Sequence, residues 1–164
     1  MQFAVRVADV DEQEEGPPER VAAENARRKA EAVASEIADA VVLGADTMVC
    51  LDGRTYGKPT NPEAARVTLR ALSGRQHSVI GGICLVDGGA VSTAVAVTEV
   101  EFRELSEGLI EWYLSAGEWR ERAGAYAIQG RGAALVRRID GDYLNVVGLP
   151  VVALLELAPW LLPD

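Results

Sequence analysis

Cysteine, histidine, lysine and aromatic side chains are all scarce in this chain, and each scarcity removes a class of function. The two cysteines, Cys50 and Cys84, lack the paired spacing of a zinc or redox site, and they read as small buried hydrophobes. The single histidine, His77, cannot form a zinc centre alone and reads as a structural residue at a strand start. Aromatic residues make up 5% of the 164 positions, and no apolar run is long enough to cross a bilayer. The N-terminus, Met1 to Val7, carries no signal-peptide apolar core. With unpaired thiols, a reducing cytoplasm is the expected setting.

The shortage of lysine is the most telling. Only Lys29 and Lys58 are lysine among 16 basic residues, so arginine is the default cation here. An ammonium is a compact point charge where a guanidinium is a planar fork, so a rare lysine hints at a site that wants the former. Net charge is −9, which disfavours a nucleic-acid polymer or an anionic membrane as partner. A small anionic substrate stays compatible if a metal ion and a few local cations reverse the field in one cleft.

A chain that is 49% hydrophobic and of this length supports one domain with a real core, spanning 1–164. Phe3 to Val7 alternates like a strand, and Asp9 to Pro18 is a solvated acidic loop. Pro17-Pro18 opens a helix through roughly Ile37, with Lys29 beside its apolar face. Val41–Leu43 and Thr47–Leu51 read as two short strands separated by Gly44-Ala45-Asp46, which places Asp46 at a strand end. Asn61-Pro62-Glu63 starts a helix to Leu72. Residues 77–86 and 90–102 form a hairpin around Asp87-Gly88-Gly89. Ser106 caps a helix ending near Gly117. A glycine-rich passage, 123–130, precedes a strand over Ala133–Ile139, and a last helix runs from Leu149 through Leu162. These elements predict α/β layers around a mixed, partly antiparallel sheet flanked by helices.

Asp46 supplies a carboxylate that can hold a hard cation or activate water, and Lys58, on the Gly57-Lys58-Pro59 corner, an ammonium that can meet phosphate oxygens. Phosphate-ester or anhydride chemistry is therefore the leading expectation. Gly53 to Lys58 is not a P-loop, because it is one residue short and has Pro59 where Ser or Thr should bind magnesium. No Gly-x-Ser-x-Gly elbow supplies a nucleophile, and the paired glycines at 81–82 and 88–89 lie in a hairpin and make no dinucleotide fingerprint.

Seven pieces in order carry a family resemblance. They are Asp9-Val10-Asp11-Glu12, the helix bearing Lys29-Ala30, Gly44-Ala45-Asp46-Thr47, Gly57-Lys58-Pro59, Leu72-Ser73-Gly74-Arg75-x-His77, Ala123-Gly124-Ala125-Tyr126-x-Ile128-Gln129-Gly130, and Asn145-Val146-Val147-Gly148-Leu149-Pro150. Together they resemble the Maf family of nucleoside triphosphate pyrophosphatases, which share the inosine-triphosphatase-like fold. The resemblance implies hydrolysis of a nucleoside triphosphate to the monophosphate and pyrophosphate with a divalent cation, Mg or Mn. It makes Asp46 the proton acceptor for water or a metal ligand acting indirectly, and Lys29 and Lys58 the neutralisers of triphosphate charge. Glu12 would be a metal ligand. Gln129 would read a pyrimidine edge, or else be a buried amide serving loop backbone. Thr47 and the Tyr-x-Ile-Gln passage resemble members that act on dTTP and UTP.

Three departures accompany the resemblance. The family's first strand and its Ser-x-Ser-Pro-Arg-Arg phosphate loop are missing before Phe3, so the stated start is expected to lie inside a longer gene product. Gly81 replaces a usual threonine, and Arg122 a usual lysine. Two other function classes stay open: a nucleotide-binding or cell-division regulatory protein without turnover, and a homodimeric scaffold without ligand.

Overall fold

The computed structural model describes residues 3–37 and 39–162. Its first regular element is helix α1, Pro18–Glu36, opened by a proline in the first turn and buried along Val21, Ala22, Asn25, Ala26 and Ala30. Three of those five are alanine, so the helix can lie very close to whatever it covers. What it covers is the pair of strands β1, Val42–Leu51, and β3, Gln76–Asp87.

Between them in sequence come the two-residue strand β2, Arg54–Thr55, and helix α2, Pro62–Leu72. Asn61 caps α2 as its sequence predicts, accepting a hydrogen bond from the Ala64 amide at 2.8 Å. Strand β4, Ala90–Phe102, returns antiparallel along β3 with Asp87 opposite Ala90. Gly88 and Gly89 both have positive φ, 53° and 88°, the backbone a two-residue type I′ turn requires. Helix α3, Glu107–Ser115, follows with Ser106 as its cap. Strand β5, Val136–Asp140, then pairs with β4, and helices α4, Tyr143–Val147, and α5, Val151–Leu157, close the chain.

The sheet order is β2-β1-β3-β4-β5. All its pairings are antiparallel among the described residues, where the sequence suggested a mixed sheet. One face is covered by α1, against Met48, Cys50, Ile80, Cys84 and Val86. The other carries the main core: Val49, Leu51, Val79, Val100 and Phe102 packed on α2, on α3 and on Ala125 to Ile128, with α5 covering Ile83 and Leu85 farther along. Cys50 and Cys84 are both buried thiols, as expected. No helix among the described residues is long and apolar enough to cross a membrane.

Four expectations need correction. Phe3 to Val7 is not a strand; Phe3, Val5 and Val7 are more than four-fifths exposed, and alternation makes a strand only beside a partner edge. The two short strands around Gly44 are one continuous strand, β1, so Asp46 lies mid-strand rather than at a strand end. Glycine and polar residues there signal close helix packing and a buried site, not a turn. Residues Arg131–Leu135 form a 3-10 turn, which delays β5 to Val136, and Ala158 breaks the last helix, so that α5 spans Val151–Leu157 and a separate 3-10 turn covers Pro159–Leu161.

Candidate active site

Gly44 and Gly82 set the geometry on which the site depends. A Cβ at Gly44 would lie 2.3 Å from the Ala26 carbonyl oxygen, and one at Gly82 would lie 2.3 Å from that of Ala22. Without those carbons α1 rests backbone to backbone on β1 and β3, and its next polar side chains, Asn25 and Lys29, come directly against Asp46 of β1.

Lys29 Nζ lies 2.6 Å from Asp46 Oδ1 and 2.6 Å from Glu12 Oε1. Burial works against the Lys29 charge, but the Asp46 and Glu12 carboxylates outweigh it and leave its pKa raised above the ordinary lysine value. Asn25, buried at 3% exposure, donates from Nδ2 to the Gln13 carbonyl at 3.0 Å and accepts from the Gln13 amide at 2.7 Å. Asn25 Nδ2 also reaches Asp46 Oδ2 at 3.4 Å. Asn25 thus ties the acidic loop to α1 and holds Glu12 within reach of Lys29. Sequence reading missed it, although a lone asparagine inside an alanine stripe is a visible signal.

Asp46 and Lys29 open into a cleft of about 220 Å³ that wraps the edge of β1. Beyond the short pairing of Cys50 and Leu51 with β2, that edge has no strand neighbour among the described residues. Successive residues on a strand point to opposite faces, and only at an open edge can both reach one cleft. Asp46 faces α1 while Thr47 faces the other layer near Gly148, yet both line the cavity.

The rest of the wall comes from two loops and α4. Lys58 is exposed on the loop after β2, with no carboxylate within ion-pair distance among the described residues. Tyr126 and Gln129 come from the glycine-rich passage, and Glu121 and Arg122 immediately precede it. That passage is pinned at several points: Gly124 donates to the Tyr56 carbonyl at 2.9 Å, and the Ala127 amide donates to the Tyr113 hydroxyl at 3.0 Å. His77 Nε2 and the Tyr126 hydroxyl share a 3.0 Å hydrogen bond, inside a cluster of edge-to-face rings with Phe102. Asn145 donates to the Val79 carbonyl and to Thr98 Oγ1, both at 3.0 Å, which seats α4 and the Val146–Gly148 wall.

All six residues singled out from the sequence therefore converge: Asp46, Lys29 and Glu12 as one cluster, and Thr47, Lys58 and Gln129 along the cleft. Gln129 is exposed, so the reading of it as a buried amide is overturned. Missed were Asn25 and Glu121, the latter a non-glycine residue at φ 57° facing the cavity. Three cations, Lys29, Lys58 and Arg122, balance three carboxylates, Asp46, Glu12 and Glu121, so the site is locally neutral inside an acidic molecule.

Among the described residues no cluster of three or more metal-binding side chains occurs. Two carboxylates sharing one cation nevertheless suit magnesium or manganese, which take one or two protein carboxylates and complete their shell with water and phosphate oxygens. The donor set fits such an ion held jointly with a substrate. Chemically, the site offers an ionised carboxylate for water and cations for a phosphorylated ligand.

Comparison with known proteins identifies the family. The family described as Maf-like protein matches residues 1–159. A dTTP/UTP pyrophosphatase of Pyrococcus horikoshii is 52% identical over 132 residues, covering 80% of this chain and 71% of the relative. The dTTP/UTP pyrophosphatase of Pyrococcus abyssi is 48% identical over 158 residues, 94% of this chain and 84% of the relative. That of Dictyoglomus thermophilum is 43% identical over 160 residues, 94% and 83% respectively. With a family match across nearly all of its length, and relatives of this identity over most of both chains, the chain belongs to the Maf family.

Proposed function

We propose that this protein is a nucleoside triphosphate pyrophosphatase that hydrolyses dTTP and UTP to the monophosphate and pyrophosphate. The observation that carries the reading is the Asp46–Lys29–Glu12 cluster at the base of a cleft walled by Lys58, Arg122 and Gln129, in a chain whose relatives are named dTTP/UTP pyrophosphatases.

In the proposed reaction a water oxygen bonds to the α-phosphorus, the bond from that phosphorus to the α–β bridging oxygen breaks, and pyrophosphate leaves with that oxygen. Asp46 accepts the proton the water loses. Its Oδ1 is engaged by a cation, while its Oδ2 has only the long contact with Asn25 and keeps a lone pair for that proton. A divalent cation, Mg or Mn, would be held by Asp46 and Glu12 and would neutralise developing charge on the phosphates. Lys58 and Arg122, exposed and uncommitted, hold the departing β- and γ-phosphates. Gln129 presents both a donor and an acceptor to the pyrimidine edge, and Thr47 lies on the far side of the β1 edge from Asp46, where it helps define the base and sugar end.

Pyrophosphate release from dTTP, UTP and 7-methyl-GTP with magnesium or manganese tests the reading, with Asp46→Asn measured alongside. The wild-type chain should release pyrophosphate from dTTP or UTP. Asp46→Asn should lose at least about 10²-fold in rate while still binding nucleotide. Turnover persisting in the variant removes Asp46 from the mechanism, and thermal stabilisation by nucleotide without product assigns a binding role instead.

A further inference from the structure

The Lys29 ammonium occupies the space between two carboxylates that come from segments far apart in the chain, the acidic loop and β1. Both contacts are 2.6 Å, at the short end for charge-assisted hydrogen bonds. A hard divalent ion bridging the same two oxygens, at the roughly 2 Å typical of magnesium, would need that same space. An ammonium and a dication cannot share it, because their repulsion at such separations is large in a partly buried site. Lys29 and Asp46 are both in that position, with side chains 23% and 11% exposed.

A divalent ion arriving alone therefore faces an unfavourable exchange. It gains two carboxylates, but Lys29 loses both of its counter-charges and is left in the cleft beside a dication. When the ion arrives with a triphosphate, the balance changes. Lys29 lines the same cleft as Lys58 and Arg122, and its flexible four-carbon stem lets the ammonium move from carboxylate to phosphate. The exchange also changes the field: the Asp46–Lys29–Glu12 cluster, with one net negative charge in the free protein, gains two positive charges as the ion enters, which suits a ligand of high negative charge.

We propose that Lys29 is a place-holding cation, which occupies the divalent-ion position in the free protein and transfers to a substrate phosphate when ion and nucleotide bind together. Ion and nucleotide then bind cooperatively, and the ion alone binds weakly. The identity of the nucleotide rests on the pyrophosphatase reading, but the competition between Lys29 and the ion does not.

Manganese binding without nucleotide, read from the electron paramagnetic resonance of free Mn²⁺, tests this directly in wild type, Lys29→Met and the double variant Lys29→Met/Asp46→Asn. Lys29→Met should bind Mn²⁺ about five- to a hundred-fold more tightly than wild type, and the double variant should lose the gain. Adding α,β-methylene-UTP should tighten Mn²⁺ binding strongly in wild type and much less in Lys29→Met. Binding by Lys29→Met no tighter than wild type overturns the proposal. If wild type instead releases no pyrophosphate from dTTP or UTP, the functional reading fails while the manganese comparison still stands. Should Lys29→Met not fold, the wild-type protein decides through its side-chain ammonium nitrogen resonances, which come from only two lysines. The Lys29 signal should move when Mg²⁺ and the analogue are added together and stay in place with Mg²⁺ alone; a signal unmoved by both together overturns the proposal.

Discussion

His77 shows how a residue distant from the chemistry can hold the site in shape. Its ring is 2% exposed between Phe102 and Tyr126, and burial pushes its pKa down to about 4, with a contact from the Arg75 backbone pulling weakly the other way. The folded protein therefore keeps His77 neutral at pH values where the unfolded chain, with an ordinary value near 6.5, already takes up a proton. Stability from this residue is fully present above about pH 6.5, declines as pH falls toward 4, and amounts to at most about 3 kcal/mol. Urea unfolding at pH 7.5 and pH 4.5 checks it. His77→Gln can still hydrogen-bond Tyr126 but does not titrate, so its loss of stability between the two pH values should be smaller than that of wild type by about 1–3 kcal/mol. Parallel losses in the two proteins would mean that His77 is charged in the fold. At this scale the sequence was legible where a residue was rare or stood in a recognisable string, as with Lys29, Lys58, Asp46 and Gln129. Asn25 stood out only as a polar residue in an alanine stripe, which does not reveal its bonds to the Gln13 backbone, and Glu121 was not legible, because its unusual φ does not follow from residue type.

The packing of α1 onto β1 explains why a glycine precedes the site. Gly44 is where the helix backbone touches the strand, so Gly44→Ala forces its new carbon against the Ala26 carbonyl and the Ala30 amide at 2.3 Å and 2.8 Å. Such overpacking typically costs about 1–3 kcal/mol and shifts the backbone. Because α1 carries both Asn25 and Lys29, the shift should also separate Lys29 from Asp46 and lower kcat more than the fraction unfolded accounts for. Gly108→Ala in α3 is the control, since no atom lies within 4 Å of its added carbon, and its stability and rate should match wild type or exceed it slightly. Thermal melting with pyrophosphate-release kinetics compares the two variants, and equal behaviour would show that α1 can adjust without disturbing the site. The same contact explains what the sequence concealed about the fold. Elements with local signals, the Asn61 and Ser106 caps and the Gly88-Gly89 turn, sit where those signals place them. The Gly44–Thr47 stretch resembled a strand break because its glycine answers to a helix that is distant in sequence, and Phe3–Val7 resembled a strand although no partner edge meets it.

At the scale of the whole molecule, the cleft joins parts of the chain that the sheet alone does not lock together. The acidic loop, α1, the mid-section of β1, the loop after β2 and the 121–129 passage all contribute, so a bound ligand bridges segments spread over most of the chain. A ligand that binds only the folded state at a hundred times its Kd adds about 2.7 kcal/mol. For a protein of this length that corresponds to a rise in Tm of about 5–10 °C. The net charge of −9 opposes that binding when a triphosphate arrives alone, since the Asp46–Lys29–Glu12 cluster at the cleft base carries one net negative charge and the molecule as a whole is acidic. α,β-Methylene-UTP should therefore raise Tm by the full amount only with magnesium or manganese present, and by much less at the same concentration in a chelator. Asp46→Asn should show a weaker dependence on the cation, because it removes one of the two carboxylates that would hold it. A shift of equal size with and without the cation would mean that Lys58 and Arg122 suffice to hold the phosphates, and that the Asp46–Glu12 pair serves water activation alone.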